Sequence, residues 1–400
     1  MPILGMWMWP GNIAAYGADK IVSYCAAAGV TDLYFLNKGL AGTTASFGSF
    51  APRGYDRDLL RELTDAAHRR NIRVHAWFTS ASDGHYKKLH PESGRCHYKR
   101  GKDRELISLA DEDYMAYMER VVAETARLYD IDGLHLDYIR YNHLLYGWDE
   151  ADMKRYEQAG ADVGKLRSLT ERTFYGGEET CIFDAYRAGD ETVRAFADCR
   201  RQDVVRFAER MISAAKSAKS GLILSAALMP EGAYDDTAFS DLHYGQNYED
   251  AAGLYEYALP MAYSVAYKEK EAWVRRVAEG TMKRGMKTVV GLHAYGGGTG
   301  ITLRNDVAAV CETQAEGVCL FREGACALAC PDGKELRLFN PTDKTISRVI
   351  AGSGGEWTEV KTEIQPGEEA RVRLVREADA VRVFSGEEEI CVYCTQEAGR

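Results

Sequence analysis

The chain has 400 residues, 46% of them hydrophobic and 28% charged, a composition that excludes a disordered or fibrous protein. Because this length exceeds the size at which a single core stops growing, we expect one large domain and a smaller one. A formal charge of -10 argues against a surface for nucleic acid or anionic membranes. No apolar run approaches the ~20 residues needed to cross a bilayer, so no membrane partner is expected.

The first ten residues lack the basic region and the cleavage site of an export signal, which favours a cytoplasmic protein. The mature form of a secreted protein would look the same. The ten cysteines are scattered, and in a cytosolic chain we expect reduced thiols. The pairs Cys326/Cys330 and Cys391/Cys394 leave a structural zinc site as the alternative.

Strand-like and helix-like segments alternate about eight times from the N-terminus, which is typical of a parallel α/β fold. The predicted strands are Ile3–Trp9, Asp32–Leu36, Ile72–Phe78, Ile131–Tyr141 (a strand running into a loop), Leu222–Met229, Ala258–Tyr263, Lys287–His293 and Val318–Phe321. The predicted helices are Ala18–Ala28, Asp56–Arg70, Asp111–Tyr129, Asp198–Ala218, Gly245–Tyr255, Glu269–Arg284 and Arg304–Ala315.

This alternation predicts a (β/α)8 TIM barrel over residues 1–325, with long loops at 79–107 and 141–198. An open, doubly wound sheet would also alternate, but no G-x-G-x-x-G follows the first strand. From about Cys326, short alternating strands separated by turn residues predict a small all-β sandwich over residues 326–400. Its strands are Glu335–Phe339, Ile346–Ile350, Glu359–Ile364, Ala370–Val375, Ala380–Phe384 and Ile390–Tyr393.

The fourth predicted strand is unusually polar on one face. Leu134 and Leu136 share one face, whereas His135 and Asp137 share the other. A parallel barrel strand is buried on both faces and should be apolar throughout. Polar residues at its C-terminal end lie where barrel enzymes have their active sites. The alternative is a buried ion pair between Asp137 and Arg140 that only shapes the turn.

Carboxylates also follow two other predicted strands. Glu231 comes after the fifth strand and Glu323 after the eighth. Glycoside hydrolysis uses one carboxylate to stabilise or attack the anomeric carbon and a second, protonated carboxyl to donate to the leaving oxygen. We therefore predict Asp137 as nucleophile or charge stabiliser, with Glu231 as the first candidate for the acid and Glu323 as the second. In the alternative interpretation, Glu231 belongs to a solvated loop.

Further polar and aromatic residues near strand ends suit the binding of a sugar. Aromatic rings stack on apolar sugar faces, and imidazole, amide and guanidinium groups bind hydroxyls. The predicted substrate-binding residues are Trp9, Asn37, His75, Trp77, His135, Arg140, Tyr141, Tyr263, His293 and Tyr295. In the alternative interpretation, Trp77 fills the barrel, and His75 and His293 are core histidines with satisfied hydrogen bonds.

The segments Leu106–Asp111 and Tyr129–Tyr141 together resemble the signature of the glycosyl-hydrolase-like barrels, the bacterial family-10-like glycosidases distantly related to the α-amylase group. His90-Pro91-Glu92, Gln246-Asn247-Tyr248 and Leu259–Tyr263 extend the resemblance over roughly residues 1–325. It implies a TIM barrel, a carbohydrate substrate and Asp137 in the position of the catalytic carboxylate. Two features depart from the family pattern: Asn142 replaces a proline, and Met229-Pro230-Glu231-Gly232 differs.

The leading hypothesis is thus a glycoside hydrolase acting on an oligo- or polysaccharide without a cofactor. A second hypothesis is a metal-dependent barrel hydrolase or isomerase, with His75, Asp137 and His293 as ligands. A third is a barrel that binds carbohydrate and does not turn it over. The sequence predicts no oligomeric state.

Overall fold

A computed structural model describes residues 3–294, 298–353, 356–375, 377–378 and 380–393. Its largest part is a closed barrel of eight parallel strands, whose order around the barrel is their order along the chain. The strands are β1 (Ile3–Met8), β2 (Asp32–Lys38), β3 (Arg73–Thr79), β4 (Gly133–Asp137), β5 (Ile223–Leu228), β6 (Tyr257–Pro260), β7 (Lys287–His293) and β8 (Gly317–Phe321). The predicted (β/α)8 fold class is confirmed.

Helices follow or connect these strands. They are α1 (Pro10–Tyr16), α2 (Ala18–Ala27), α3 (Leu59–His68), α4 (Gly84–Leu89), α5 (Glu112–Leu128), α6 (Glu150–Gln158), α7 (Val163–Tyr175), α8 (Cys181–Arg187), α9 (Glu191–Ala218), α10 (Ala238–His243), α11 (Tyr248–Ala252), α12 (Ser264–Tyr267), α13 (Glu271–Lys283) and α14 (Gly300–Cys311). Short 3-10 turns cover Pro91–Ser93 and Pro230–Ala233. None of the helices in the described ranges is long and apolar enough to cross a membrane.

The two predicted long loops contain regular structure. Residues 79–107 hold α4 and an antiparallel hairpin of Gly94–His97 with Gly101–Ile107. The hairpin was not predicted because its many charged residues are not typical of strands. Residues 141–198 hold α6, α7, α8 and the first turns of α9, and these helices share a hydrophobic core of their own. The predicted elements also did not include α1, which begins at Pro10, a residue that is well tolerated in a first helical turn.

Two four-stranded sheets follow the barrel, and their inner faces share one hydrophobic core. Their strands are β9 (Ala327–Asp332), β10 (Glu335–Phe339), β11 (Ile346–Ser353), β12 (Glu356–Ile364), β13 (Glu369–Arg373), β14 (Ala380–Ser385), β15 (Glu388–Ile390) and β16 (Val392–Tyr393). The sequence missed β9, which contains Pro331, because proline argues against a strand. The predicted domain boundary at 325/326 lies between the end of β8 and the start of β9. Nine cysteines are free thiols, and Cys394 lies outside the described residues.

Side chains that point into the barrel form successive layers along its axis. In the register of β3 and β4, His75 lies beside Gly133, Trp77 beside His135, and Thr79 beside Asp137. Asp137 is therefore in the uppermost of these layers, at the C-terminal mouth. The layers beneath it are buried and largely apolar, so they form a floor that supports the mouth.

Candidate active site

Asp137 lies at the C-terminal end of β4 with one carboxylate oxygen held in place. Its Oδ1 accepts hydrogen bonds from the backbone N–H of Tyr138 at 2.6 Å and from Nη1 of Arg140 at 3.2 Å. Tyr138 adopts a left-handed backbone conformation (φ 53°), and its ring lies 4.7 Å from the Arg140 guanidinium. Oδ2 accepts no hydrogen bond from the described residues. The predicted pairing of Asp137 with Arg140 is present, and it leaves one oxygen available to a ligand.

Glu231 lies in the turn after β5 and is buried, which excludes the solvated-loop interpretation. Its Oε1 accepts hydrogen bonds from the hydroxyls of Tyr267 at 3.1 Å and Tyr244 at 3.4 Å. Its Oε2 is also buried and has no partner in the described part of the chain. Burial raises the pKa of this carboxyl, although the two tyrosine hydroxyls and the nearby Arg140 guanidinium act in the opposite direction. A buried carboxyl of raised pKa is suited to carry a proton.

Arg140 connects the two carboxyl groups, because it bonds Asp137 directly and is close enough to Glu231 to affect its pKa. The side chain is buried, so its charge acts in a poorly solvated environment. A carboxylate bonded to an arginine and a buried carboxyl of raised pKa therefore lie at the mouth, after neighbouring strands. Tyr244 and Tyr267, which hold Glu231, were not predicted from the sequence.

An aromatic row lines the mouth on the side of β6, β7 and β8. Tyr263 stacks between His293, at a centroid distance of 5.0 Å, and Phe321, at 5.7 Å. Phe321 also contacts the edge of Trp9, which is 41% exposed and lies under the Arg322 guanidinium at 3.8 Å. Trp9, Tyr263 and His293 are thus where the sequence predicted them, whereas Phe321 and Arg322 were missed. Tyr295 lies outside the described residues.

Trp77 and His135 lie one layer deeper than Asp137. The indole N–H of Trp7 donates to Nε2 of His135 at 3.0 Å, so Nδ1 carries the ring proton and bonds Oγ of Ser225 at 2.9 Å. Burial lowers the pKa of His135, which is therefore neutral. With both nitrogens bonded inside the barrel, His135 supports the floor. Trp77 is also buried, but its indole N–H has no acceptor among the described residues.

Three other predicted binding residues point away from the mouth. His75 bonds Asp32 at 2.8 Å near the N-terminal end of the barrel. The side chain of Asn37 turns outwards and donates to Thr125 on α5, because a register shift between β2 and β3 falls at this position. Tyr141 is buried and donates to Asp203 on α9. His75 and Tyr141 are thus bonded to neighbouring structural side chains and do not reach the mouth. Asn37 also lines a cavity beside the mouth, and its buried Oδ1 has no partner among the described residues.

Glu323 follows β8 and is fully buried. Both of its carboxylate oxygens accept from Nδ2 of Asn12 on α1, each at 3.0 Å. Burial raises the pKa of Glu323 to about 7. The raised pKa would suit an acid, but both oxygens of Glu323 are hydrogen-bonded to Asn12 on α1. Glu231 is therefore the better-placed acid.

The metal-site hypothesis does not fit this arrangement. His75 lies beside Gly133, four residues before Asp137, a separation of about 13 Å along the strand. Within the described ranges, no group of three or more His, Cys, Asp or Glu side chains could hold a metal ion. The three predicted ligands, His75, Asp137 and His293, therefore do not form one site.

Comparison with solved structures supports the fold. The chain is similar to the glycoside hydrolase domain of PgaB (BpsB) from Bordetella bronchiseptica, with 12% identity over 80% of this chain and 94% of that one (TM-score 0.66). It is also similar to the catalytic domain of β-amylase from Paenibacillus polymyxa, with 9% identity over 80% of this chain and 93% of that one (TM-score 0.55). A β-galactosidase from the psychrophilic Marinomonas ef1 shares 14% identity over 80% of this chain and 54% of that one (TM-score 0.57).

At these identities the structures establish the fold alone, and no curated protein matches the sequence significantly. The family assignment comes from sequence. Residues 47–293, more than half of the chain, match the profile described as glycosyl hydrolase-like 10. This range includes Asp137, Glu231 and the residues that bond them. The chain belongs to the glycosyl hydrolase-like 10 family, as the resemblance around β4 predicted.

Proposed function

We propose that the protein hydrolyses glycosidic bonds in an oligo- or polysaccharide. In this proposal, Glu231 is the general acid and donates its proton to the glycosidic oxygen as the bond to the anomeric carbon breaks. Asp137 stabilises the positive charge that develops at that carbon, or attacks it, through the oxygen that Arg140 leaves unoccupied. A water molecule then adds to the anomeric carbon, releasing Asp137 where that carboxylate has attacked, and gives its proton to one of the two carboxylates. The row formed by Tyr263, His293 and Phe321 packs against the sugar.

The observation that carries this proposal is the difference between the two carboxyl groups. Glu231 is buried with a raised pKa, and its Oε2 has no partner within the described ranges, which are the properties of a proton donor. Asp137 accepts a charge-assisted hydrogen bond from Arg140, which suits a group that acts as an anion. One buried carboxyl of raised pKa and one carboxyl bonded to an arginine, at the same barrel mouth, support hydrolysis better than binding alone.

The proposal is tested by incubating the protein with a panel of α- and β-linked glucans, xylans, mannans, galactans, uronans and amino-sugar polymers and measuring new reducing ends. We expect release from at least one polymer by the wild type, and a loss of about 10²-fold or more in Asp137→Asn. Asp65→Asn is the matched control, because Asp65 is exposed near the C-terminal end of α3, which leads into the N-terminal end of β3. Undiminished release by Asp137→Asn would contradict the mechanism. Binding of a polymer without release by the wild type would indicate a non-catalytic carbohydrate-binding barrel.

A further inference from the structure

A cavity opens beside the mouth, next to the C-terminal ends of β1, β2 and β8. Its volume is about 440 Å³, which is within the range of sites that bind small molecules. The cavity lies across the barrel from β5, which carries Glu231, because β1 and β5 are diametrically opposite in the strand order. The residues that matter for its chemistry are Trp9, Asn12, Leu40, Thr43, Tyr55 and Arg322.

Trp9 provides an exposed aromatic surface that is held in a fixed orientation. The residue is 41% exposed, yet its ring lies edge to face with the ring of Phe321, at a centroid distance of 6.3 Å, and 3.8 Å from the guanidinium of Arg322. It also directly precedes α1, so its backbone is fixed by the start of a helix. An immobilised and exposed indole costs little conformational entropy when a sugar packs against it.

Arg322 gives the cavity its charge. Among the described residues that line the cavity, it is the one with a charged side chain, in a protein whose formal charge is -10. Its Nη1 donates to the backbone carbonyl of Glu323 at 3.1 Å, which fixes the guanidinium beside the cavity. The side chain is only partly buried, so an anionic oxygen in the cavity can form a charge-assisted hydrogen bond with the guanidinium.

We propose that this cavity is a subsite for a pyranose unit that carries an anionic substituent, a carboxylate or a sulfate ester. Trp9 packs against the ring, the hydroxyls of Thr43 and Tyr55 contact its hydroxyls, and Arg322 pairs with the anionic group. The assignment rests on the proposed function, because it places an acidic unit of the substrate at a distance from the bond that is cleaved. It names the substrate as an acidic glycan.

The test measures direct binding of D-glucuronate, D-glucose 6-sulfate and D-glucose by NMR titration of the full-length protein at low salt. We expect at least one anionic sugar to bind about tenfold more tightly than glucose, since a charge-assisted hydrogen bond contributes on that scale. If only glucuronate is preferred over glucose, the anionic unit of the substrate is a uronate. If both anionic sugars are preferred over glucose, the subsite binds anionic substituents in general. Added salt should weaken this preference.

Arg322→Gln should reduce the preference to about twofold or less, leaving the weak binding of glucose in place. The matched control is Arg194→Gln, because Arg194 also covers an aromatic ring, that of Tyr186, at 3.8 Å. If Arg322→Gln only loosened Trp9, binding of all three sugars would fall together, and the proposal would be wrong. Trp9→Ala should weaken all three sugars, whereas Trp357→Ala, at a comparably exposed tryptophan, should not.

Equal binding of glucose and both anionic sugars, a preference that survives in Arg322→Gln, or no detectable binding of either anion would each overturn the subsite. Because binding is measured without turnover, the same titrations in Asp137→Asn separate this inference from the proposed hydrolysis. Absence of hydrolysis by the wild type with the preference intact would contradict the proposed hydrolysis alone. Hydrolysis without the preference would contradict the subsite alone.

Discussion

Glu323 gives a prediction about stability whose size follows from the structure. Its carboxyl is fully buried, and its pKa is raised from an ordinary value of 4.5 to about 7. Below pH 4.5 the group is protonated in both the folded and the unfolded chain, so it has no effect. Between pH 4.5 and 7 the unfolded chain loses this proton while the folded chain retains it, so the free energy of unfolding falls as the pH rises.

The difference between these two pKa values amounts to about 3 kcal/mol once the pH is well above 7. At pH 5 only about 1 kcal/mol of this loss is present. Glutamine has nearly the same shape and no charge to bury, so Glu323→Gln should gain about 2 to 3 kcal/mol relative to the wild type between pH 5 and pH 8.

The assay is urea denaturation of both proteins at pH 5 and pH 8, with unfolding monitored by tryptophan fluorescence. Titration of all other groups is common to the two proteins and cancels in their difference. Glu157→Gln is the matched control, because Glu157 is exposed on α6 and should show no such change. A difference between wild type and Glu323→Gln that is the same at both pH values would refute the reasoning.

Three further predictions concern other positions. Tyr267→Phe removes a hydrogen bond that lowers the pKa of Glu231, so the alkaline limb of kcat/KM should move to higher pH; an unchanged or lower limb would contradict this role. Gly133→Ala places a Cβ 2.1 Å from Nδ1 of His75 and 2.8 Å from a backbone oxygen, so it should lower the free energy of unfolding by about 3 kcal/mol in urea titrations. The control Gly11→Ala meets no atom within 4 Å and should leave the free energy of unfolding unchanged. Lys38→Met leaves Asp83 buried and without its ion-pair partner, so it should lower the free energy of unfolding by about 3–5 kcal/mol. A decrease below about 1 kcal/mol would show that the fold does not depend on this ion pair.

The alternation of strands and helices predicted the barrel because each barrel strand is short, apolar and bounded by turn residues. Lys287–His293 was predicted with the bounds that the structure has. The same periodicity placed His135 and Asp137 on the inward face of β4. Periodicity reports the face and not the depth, however, so His75 and His135 were assigned to the mouth although they lie in deeper layers.

Other parts of the site could not be predicted from local pattern. Tyr244 and Tyr267 come from the segments after β5 and β6, and only the folded barrel brings their hydroxyls to Glu231. Asn37 points outwards because of a bulge, and a one-residue shift moves a side chain to the other face of a strand. The buried ion pair of Lys38 with Asp83 was also missed, since a lysine near a strand end normally indicates solvent.

The central claim is that Glu231 donates the proton to the leaving group. Its most direct test measures how Glu231→Gln acts on two substrates that differ in their leaving group. The substrates are the natural oligosaccharide identified by the reducing-end screen and the 2,4-dinitrophenyl glycoside of the same sugar, whose leaving group needs no proton. We predict that Glu231→Gln loses about 10²–10⁴-fold in kcat/KM on the oligosaccharide and far less on the dinitrophenyl glycoside. Equal losses on both substrates, or no loss on the oligosaccharide, would contradict the assignment of Glu231 as the general acid.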